Sequence, residues 1–360
     1  MSNTTLSKGK QILWYSTLTI LGLYFAFLGL YKAKGFLAPL FTAVFLAFLM
    51  LPLSRKMEKT FINRMSSSLI NTLILFMISI GFMALVSFQV KNVVDDWPKI
   101  KETMSPKIEK LKSFVLEHSP LEKENLETSG SERSIPFMGS GENTGKKAAT
   151  FFNKVLAFFG DYLLTFIYVF FLLNYRHRFK EFLLKLFPDD RKKEVNKVIN
   201  DSASVIQEYL IGKLVLIGLL AILYSIGLGF SGVDNFILIS ILAAVLSLVP
   251  YIGNVIGFGL AITFGYFSSG ETGVLVGIML TFTVAQFVES YILEPYVVGD
   301  KVDLHPFFVI LSVIIGGMVW GIIGMVLSIP ILAILNVVFL HVSALKPFGF
   351  LLSSDNTSEN

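Results

Sequence analysis

The chain contains no cysteine, which removes disulfides, thiolate nucleophiles and iron–sulfur ligation together and leaves the redox compartment undetermined. Histidine is scarce too: His118, His177, His305 and His341 are too scattered for a metal-ligand motif. Charged residues make up only 16%, and no basic patch interleaved with aromatics marks a nucleic-acid surface. A phosphate-binding loop is also missing. In GSGENTGKK the first glycine, Gly139, lies six residues before Gly145, and Lys147 stands where Ser or Thr is required, so nothing points to ATP hydrolysis. GLGFSG, Gly227 to Gly232, fits G-x-G-x-x-G but closes an apolar helix instead of following a strand, and reads as a helix terminus. With no Ser/His/Asp set, H-E-x-x-H or paired intramembrane Asp, neither an enzyme nor a cofactor is expected.

What is plentiful is apolar surface. Hydrophobic residues are 54% of the 360, with 34 Phe, more than a water-soluble domain needs to fill a core. The fold class is therefore all-α, a polytopic helical membrane protein whose partner is the lipid bilayer. A helix needs about 20 apolar residues to cross ~30 Å of hydrocarbon. The runs 12–31, 36–53, 69–90, 151–173 and 214–230 meet that requirement, and with the stretches 236–267, 274–293 and 307–342 they give about eight membrane segments. Lys8 and Lys10 ahead of the first run resemble a signal peptide in charge, but the run is too long and lacks a small-residue cleavage pattern. An uncleaved first span is expected.

Loop charge gives the orientation. SRKMEKTFINR carries Arg55, Lys56, Lys59 and Arg64 against the single acid Glu58, which marks that side as cytoplasmic. After the fourth run, eight basic residues between Arg176 and Lys197 stand against four acidic ones, on the same side. The N-terminus is expected there as well, in a bacterial inner membrane. The organisation is then a three-span region (1–90), an external amphipathic segment and flexible loop (91–150), a fourth span (151–175), a cytoplasmic amphipathic helix (176–212), a second membrane region (213–345) and a polar tail (346–360).

Polar groups inside apolar runs are costly and usually face a cavity or a partner. Glu289 lies in TFTVAQFVESYILEP with Gln286 one turn earlier, and Glu294 precedes Pro295, so carboxylate and carboxamide oxygens gather near one helix face, as a proton or monovalent cation requires. The alternative is that both acids sit hydrated at the helix end. Glu208 and Lys213 mark the junction of the cytoplasmic helix with the fifth span, as an interface or gating pair or as interfacial anchors. His305 is either a proton-linked group or a helix-entry residue before Pro306.

Two apolar stretches are interrupted. In LSLVPYIGNVIGFG the segment 236–249 would reach only about 21 Å as a helix. This predicts either a re-entrant hairpin of two half-helices meeting at Pro250, Tyr251, Ile252 and Gly253 with Asn254 at the tip, or a kinked continuous helix. The second stretch, IIGGMVWGIIGMVLSIPILAIL, carries Gly316, Gly317, Gly321 and Gly324, with Pro330 as the expected break. Glycines at three- and four-residue spacing let helices approach closely, and Gly/Pro-interrupted segments in corresponding positions point to the solute site of a secondary transporter.

QEYLIGK, VPYIGNVIG, QFVESYILEPYVVGDKVDLHP and GGMVWGIIGMVLSIP resemble, in order, the signature blocks of the autoinducer-2 exporter family of bacterial membrane proteins. The resemblance covers 207–330 closely and the N-terminal spans only in hydrophobic layout. It implies a multi-pass inner-membrane transporter, homo-oligomeric, in a family containing exporters of a quorum signal and sodium or lithium/proton antiporters. The motif positions it singles out are Tyr209, Gly212, Pro250, Gly253, Gln286, Glu289 and Pro295, then Gly299, His305, Pro306, Gly317, Gly321, Gly324 and Pro330. The polar insert 124–147 belongs to none of these blocks. The leading expectation is an exporter of a small polar solute; a cation/proton antiporter using Glu289, Glu294 or His305 is the alternative, and a membrane scaffold without transport a third.

Overall fold

A computed structural model of the chain describes residues 8–60, 62–95, 144–249, 252–266, 269–298 and 303–354. Pro250, Tyr251, Gly299, most of the external segment and the end of the tail lie outside the described residues. Every regular element among those described is helical. In chain order they are α1 (Lys8–Lys32), α2 (Lys34–Glu58), α3 (Arg64–Asp95), α4 (Thr144–Lys185), α5 (Lys192–Phe230), α6 (Phe236–Leu246), α7 (Ile252–Ala261), α8 (Thr272–Val288), α9 (Pro306–Trp320), α10 (Ile322–His341) and α11 (Lys346–Leu352). Two π-helical stretches, Ile262–Tyr266 and Glu289–Val298, continue α7 and α8.

Among the described residues, six helices are long and apolar enough to cross a membrane: Gly9–Lys32, Lys34–Glu58, Arg64–Ala84, Lys192–Phe230, Thr272–Val297 and Ile322–His341. Phe236–Leu246, Ile252–Tyr266 and Pro306–Trp320 are apolar but shorter. The protein is thus a polytopic all-α membrane protein. Of the stretch read as a cytoplasmic helix, 176–185 continues α4, whereas 192–212 and the fifth span form one continuous helix, α5, with no Pro between them and Gly212 held within it.

The chain divides into two compact units, each assembled from separated stretches. The first comprises Met1–Thr72, Asp161–Leu210 and Lys301–Asn360; the second comprises Leu73–Gly160 and Ile211–Asp300.

In the first unit, Phe45 of α2, Ile206 of α5 and Leu327 of α10 form a core, with Phe41, Phe48 and Trp320 packed against it. The Trp320 indole N–H donates to the Leu30 carbonyl (3.0 Å), tying α9 to α1. Glu58, at the end of α2, pairs with Arg176 of α4, which also donates to Ser54 Oγ and the Leu173 carbonyl. Asn71 Nδ2 donates to the Ser67 carbonyl (2.7 Å), and Ser67 Oγ lies 3.2 Å from Ser54 Oγ, while Asn71 Oδ1 and Ser68 Oγ are buried without a partner.

Helices α9 and α10 form a hairpin that turns at Gly321 (φ 66°, ψ −142°), backbone open to glycine and closed to most other residues. The backbones of Gly316 and Gly324 face each other across it, and a side chain at either would overlap the other's carbonyl. The break expected at Pro330 is therefore at Gly321. Pro330 is buried inside α10, where the helix continues despite the hydrogen bond to Val326 that its ring forgoes.

The second unit contains the other hairpin. Helices α6 and α7 run antiparallel, with Gly253 against the Leu246 carbonyl and Gly257 against Ala243. Their short lengths, about 16 Å for α6 and about 22 Å for α7 with its π extension, follow from 11 and 15 residues. Gly265 packs on Ile278 and Val233, Gly227 on Thr281, and Gly277 on Ser231, which seats α5, α7 and α8 closely together. Tyr224 stacks on Phe282 with ring centroids 4.7 Å apart.

Candidate functional site

In the second unit a buried carboxylate and two carboxamides meet at one place. Glu289, where α8 gives way to the π stretch, is 6% exposed. Asn254, in the first turn of α7, donates through Nδ2 to Gln286 Oε1 (2.7 Å) and to Glu289 Oε2 (3.2 Å). Gln286 Nε2 in turn donates to Ser290 Oγ (3.1 Å). The two glycines beside Asn254 explain its reach: Gly253 and Gly257 press α7 onto α6, and Asn254 lies on a different face of the same turn.

Two cationic or anionic neighbours complete the set. Lys213 of α5 is buried, and its ammonium lies 3.6 Å from Glu294 Oε1; its charge also acts on Glu289. In an α-helix, residues five apart stand about 140° around the axis from each other. The π stretch, with hydrogen bonds spanning five residues, turns Glu294 back toward the side of Glu289. Pro295 inside that stretch cannot donate and so weakens the case for an ordinary α register there.

One polar atom in the cluster has no partner. Asn254 Oδ1 is fully enclosed and accepts no hydrogen bond, although a buried acceptor ordinarily has one. Beside the Glu289 carboxylate it supplies an oxygen that a proton-bearing group, a monovalent cation or a solute hydroxyl or amine would satisfy. Among the described residues no three His, Asp or Glu side chains gather as a multidentate divalent site would require.

The remaining positions singled out in the sequence fall as follows. Glu208 is exposed and accepts from Ser204 Oγ (3.0 Å), while Tyr209 and Gly212 are buried on α5. His305 caps α9: its Nδ1 accepts from the Phe307 N–H (3.2 Å), and its own N–H donates to the Leu352 carbonyl (2.7 Å). His305, Gly317, Gly321, Gly324 and Pro330 belong to the first unit, whereas Lys213, Gly253, Asn254, Gln286, Glu289 and Glu294 share the second. Sequence reasoning paired Gln286 with Glu289 by spacing but missed the approach of Asn254 and Lys213. The Gly253–Gly257 spacing was the available signal for the first; nothing local announces the second.

Comparison with known proteins follows the same layout. Residues 18–344 match the model of the AI-2E family transporter. YueF of Bacillus subtilis, which carries a provisional transport-protein name, is 26% identical over 48% of this chain and 47% of its own length. A similarly named protein of Borreliella burgdorferi is 27% identical over 58% of each chain, and YhhT of Escherichia coli, also provisionally named for transport, is 24% identical over 86% of this chain and 85% of its own. The chain spans about half the length of the first of these relatives. A family match that runs through nearly all the helices, both hairpins and the polar cluster places this chain in the AI-2E transporter family.

Proposed function

We propose that this protein is a secondary transporter that exports a small polar solute across a bacterial inner membrane, with Glu289, Asn254 and Gln286 as its polar site. The observation that carries the reading is the enclosed, unpartnered Asn254 Oδ1 beside the buried Glu289 carboxylate. Non-helical or π-helical backbone at membrane depth is tolerated where protein or a water-filled cavity meets its polar groups, and the site stands between a short helical hairpin and such a π stretch. A solute carrying hydroxyl or amine groups would donate to Asn254 Oδ1 and Glu289. Membership of a transporter family supports a non-enzymatic role.

The supporting experiment compares exported metabolites of cells with the protein, without it, and with Glu289→Gln. A solute class that accumulates outside only with the unaltered protein is expected; identical profiles in all three would overturn the reading.

A second reading, a sodium or lithium/proton antiporter, is favoured by the same carboxylate and carbonyl oxygens and by Lys213, whose charge acts on both acids. In inside-out vesicles, a sodium- or lithium-induced pH change that disappears in Glu289→Gln supports antiport, and no cation response at any pH refutes it. Homo-oligomeric assembly and a cytoplasmic N-terminus belong to the proposal as well.

A further inference from the structure

The first unit contains a partly open cavity of about 450 Å³ bounded by α2, α4 and α5. Its volume falls in the range of pockets that hold small amphiphilic ligands, roughly 300–1,000 Å³. None of its lining residues belongs to the Glu289 cluster. The apolar part is built from Val44, Phe48 and Leu51 of α2, Leu172 and Leu183 of α4, and Ala203 of α5. The polar part is one-signed: Arg55, Arg176 and Lys180 line it, and no Asp or Glu does.

Charge balance distinguishes these cations. Arg176 is paired with Glu58. Lys180 donates to a neutral acceptor, Asn200 Oδ1 (2.9 Å), so its charge is uncompensated by that contact. Arg55 is exposed one turn before Lys59 in a loop-proximal stretch rich in base. His177, past the end of the fourth apolar run, reports the same surroundings: burial, then the charges of Arg64 and Arg176, push its imidazole below the ordinary value against the opposing pull of Glu58.

We propose that this cavity binds an anionic phospholipid of the surrounding bilayer, an acyl chain lying on the apolar walls of α2, α4 and α5 and the phosphate held by Arg55 and Lys180. Phe179 and Leu183 of α4 line the cavity and are exposed, which gives a chain of the bilayer its way onto the apolar walls. Two uncompensated cations at the mouth set the preference for a negative headgroup over a zwitterionic one, since basic pockets between membrane helices take anionic headgroups. A soluble anion would use the cations but leave the apolar walls bare.

The test is native mass spectrometry of the full chain in detergent, with phosphatidylglycerol and phosphatidylcholine of identical acyl chains added separately. Unaltered protein is expected to retain phosphatidylglycerol about tenfold to thirtyfold better, the scale set by two basic side chains near a headgroup. Arg55→Gln with Lys180→Gln is expected to bring phosphatidylglycerol down to the phosphatidylcholine level. Ala203→Trp, which fills the apolar floor, should lower retention of both lipids, and Lys56→Gln with Lys59→Gln should preserve the preference. Thermal melting of each variant keeps a folding defect distinguishable from lost binding. Equal retention of the two lipids by unaltered protein, an intact preference in the Arg55/Lys180 variant, or competition by glycerol 3-phosphate as effective as by phosphatidylglycerol would each overturn the proposal. So would a second copy of the chain closing the cavity, seen as a dimer whose mass is indifferent to added lipid.

Discussion

A single added methyl group at three glycines of α7 tests the hairpin directly. At Gly259 a Cβ would meet nothing within 4 Å, so alanine there gains only helix propensity, about 0.8–1 kcal/mol. At Gly257 the new carbon would stand 2.9 Å from Ala243 Cβ and 3.1 Å from its Cα. Ordinary carbon contacts lie at about 3.5–4.0 Å, so α6 must recede by roughly half an ångström or more. Overpacking of that kind costs about 1–3 kcal/mol, and the propensity gain leaves a net loss of about 0–2 kcal/mol. At Gly253 the obstacle is the Leu246 carbonyl, backbone that no rotamer change removes. That substitution should exceed 3 kcal/mol, at or beyond the top of the overpacking range. Thermal unfolding of the purified full chain in detergent is therefore expected to rank Gly259→Ala at or above the parent, Gly257→Ala slightly below it, and Gly253→Ala far below. If Gly253→Ala melts with Gly259→Ala, the two helices do not approach as described, and the placement of Asn254 beside Glu289 falls with it.

Asn254→Leu removes one hydrogen bond to a carboxylate, worth about 1.5–3 kcal/mol if charged, and one to an amide, about 0.5–1.5 kcal/mol, while relieving the unpartnered Oδ1. A net loss of about 1–2 kcal/mol in melting and abolished solute export are expected; unchanged export in a folded variant counts against the site. For Glu58 and Arg176, whose side chains are 20% and 18% exposed, a double-mutant cycle with Gln at each should give a coupling of about 1 kcal/mol. A coupling indistinguishable from zero would mean that the pair does not hold α2 to α4. Gly321→Ala forces φ 66° on a residue with a Cβ and should cost about 1–3 kcal/mol, read as a lower melting temperature; no loss would place the turn elsewhere.

The spans were legible because their signal is length multiplied by hydropathy, which depends on no contact: α1, α2 and α3 begin within a few residues of the charged positions that flank each apolar run. The glycines at 253 and 257 were also legible, since a four-residue spacing of missing side chains is a packing face before any partner is known. Pro330 misled for a local reason. Proline's usual effect on a helix is strong in water, but here the surrounding α10 packing keeps the helix whole, and the φ that ends α9 is carried by Gly321, one glycine among several. Gln286 and Glu289 share a face by spacing alone. That Glu289 begins a π stretch has no signature in residue type, because the register follows from packing and from the neighbouring Pro295. Lys213 lies eighty-one positions before Glu294, and only the folded chain brings them together.

The interleaving of the two units has a consequence for synthesis. The chain passes between them after Thr72, Gly160, Leu210 and Asp300, and three of those passages fall inside helices, α3, α4 and α5. As the polypeptide leaves the ribosome N-terminus first, the opening stretch of the first unit waits for α9 and α10, more than two hundred residues downstream, before Phe45 meets Leu327. The second unit has all its parts once Asp300 has emerged and is the first to be able to close. The early helices meanwhile sit in the bilayer with unfilled packing faces, and premature release there would leave the polar end of α2 without Arg176. A single cut anywhere between residues 73 and 300 divides both units, so fragments made there restore either unit only when they are co-expressed.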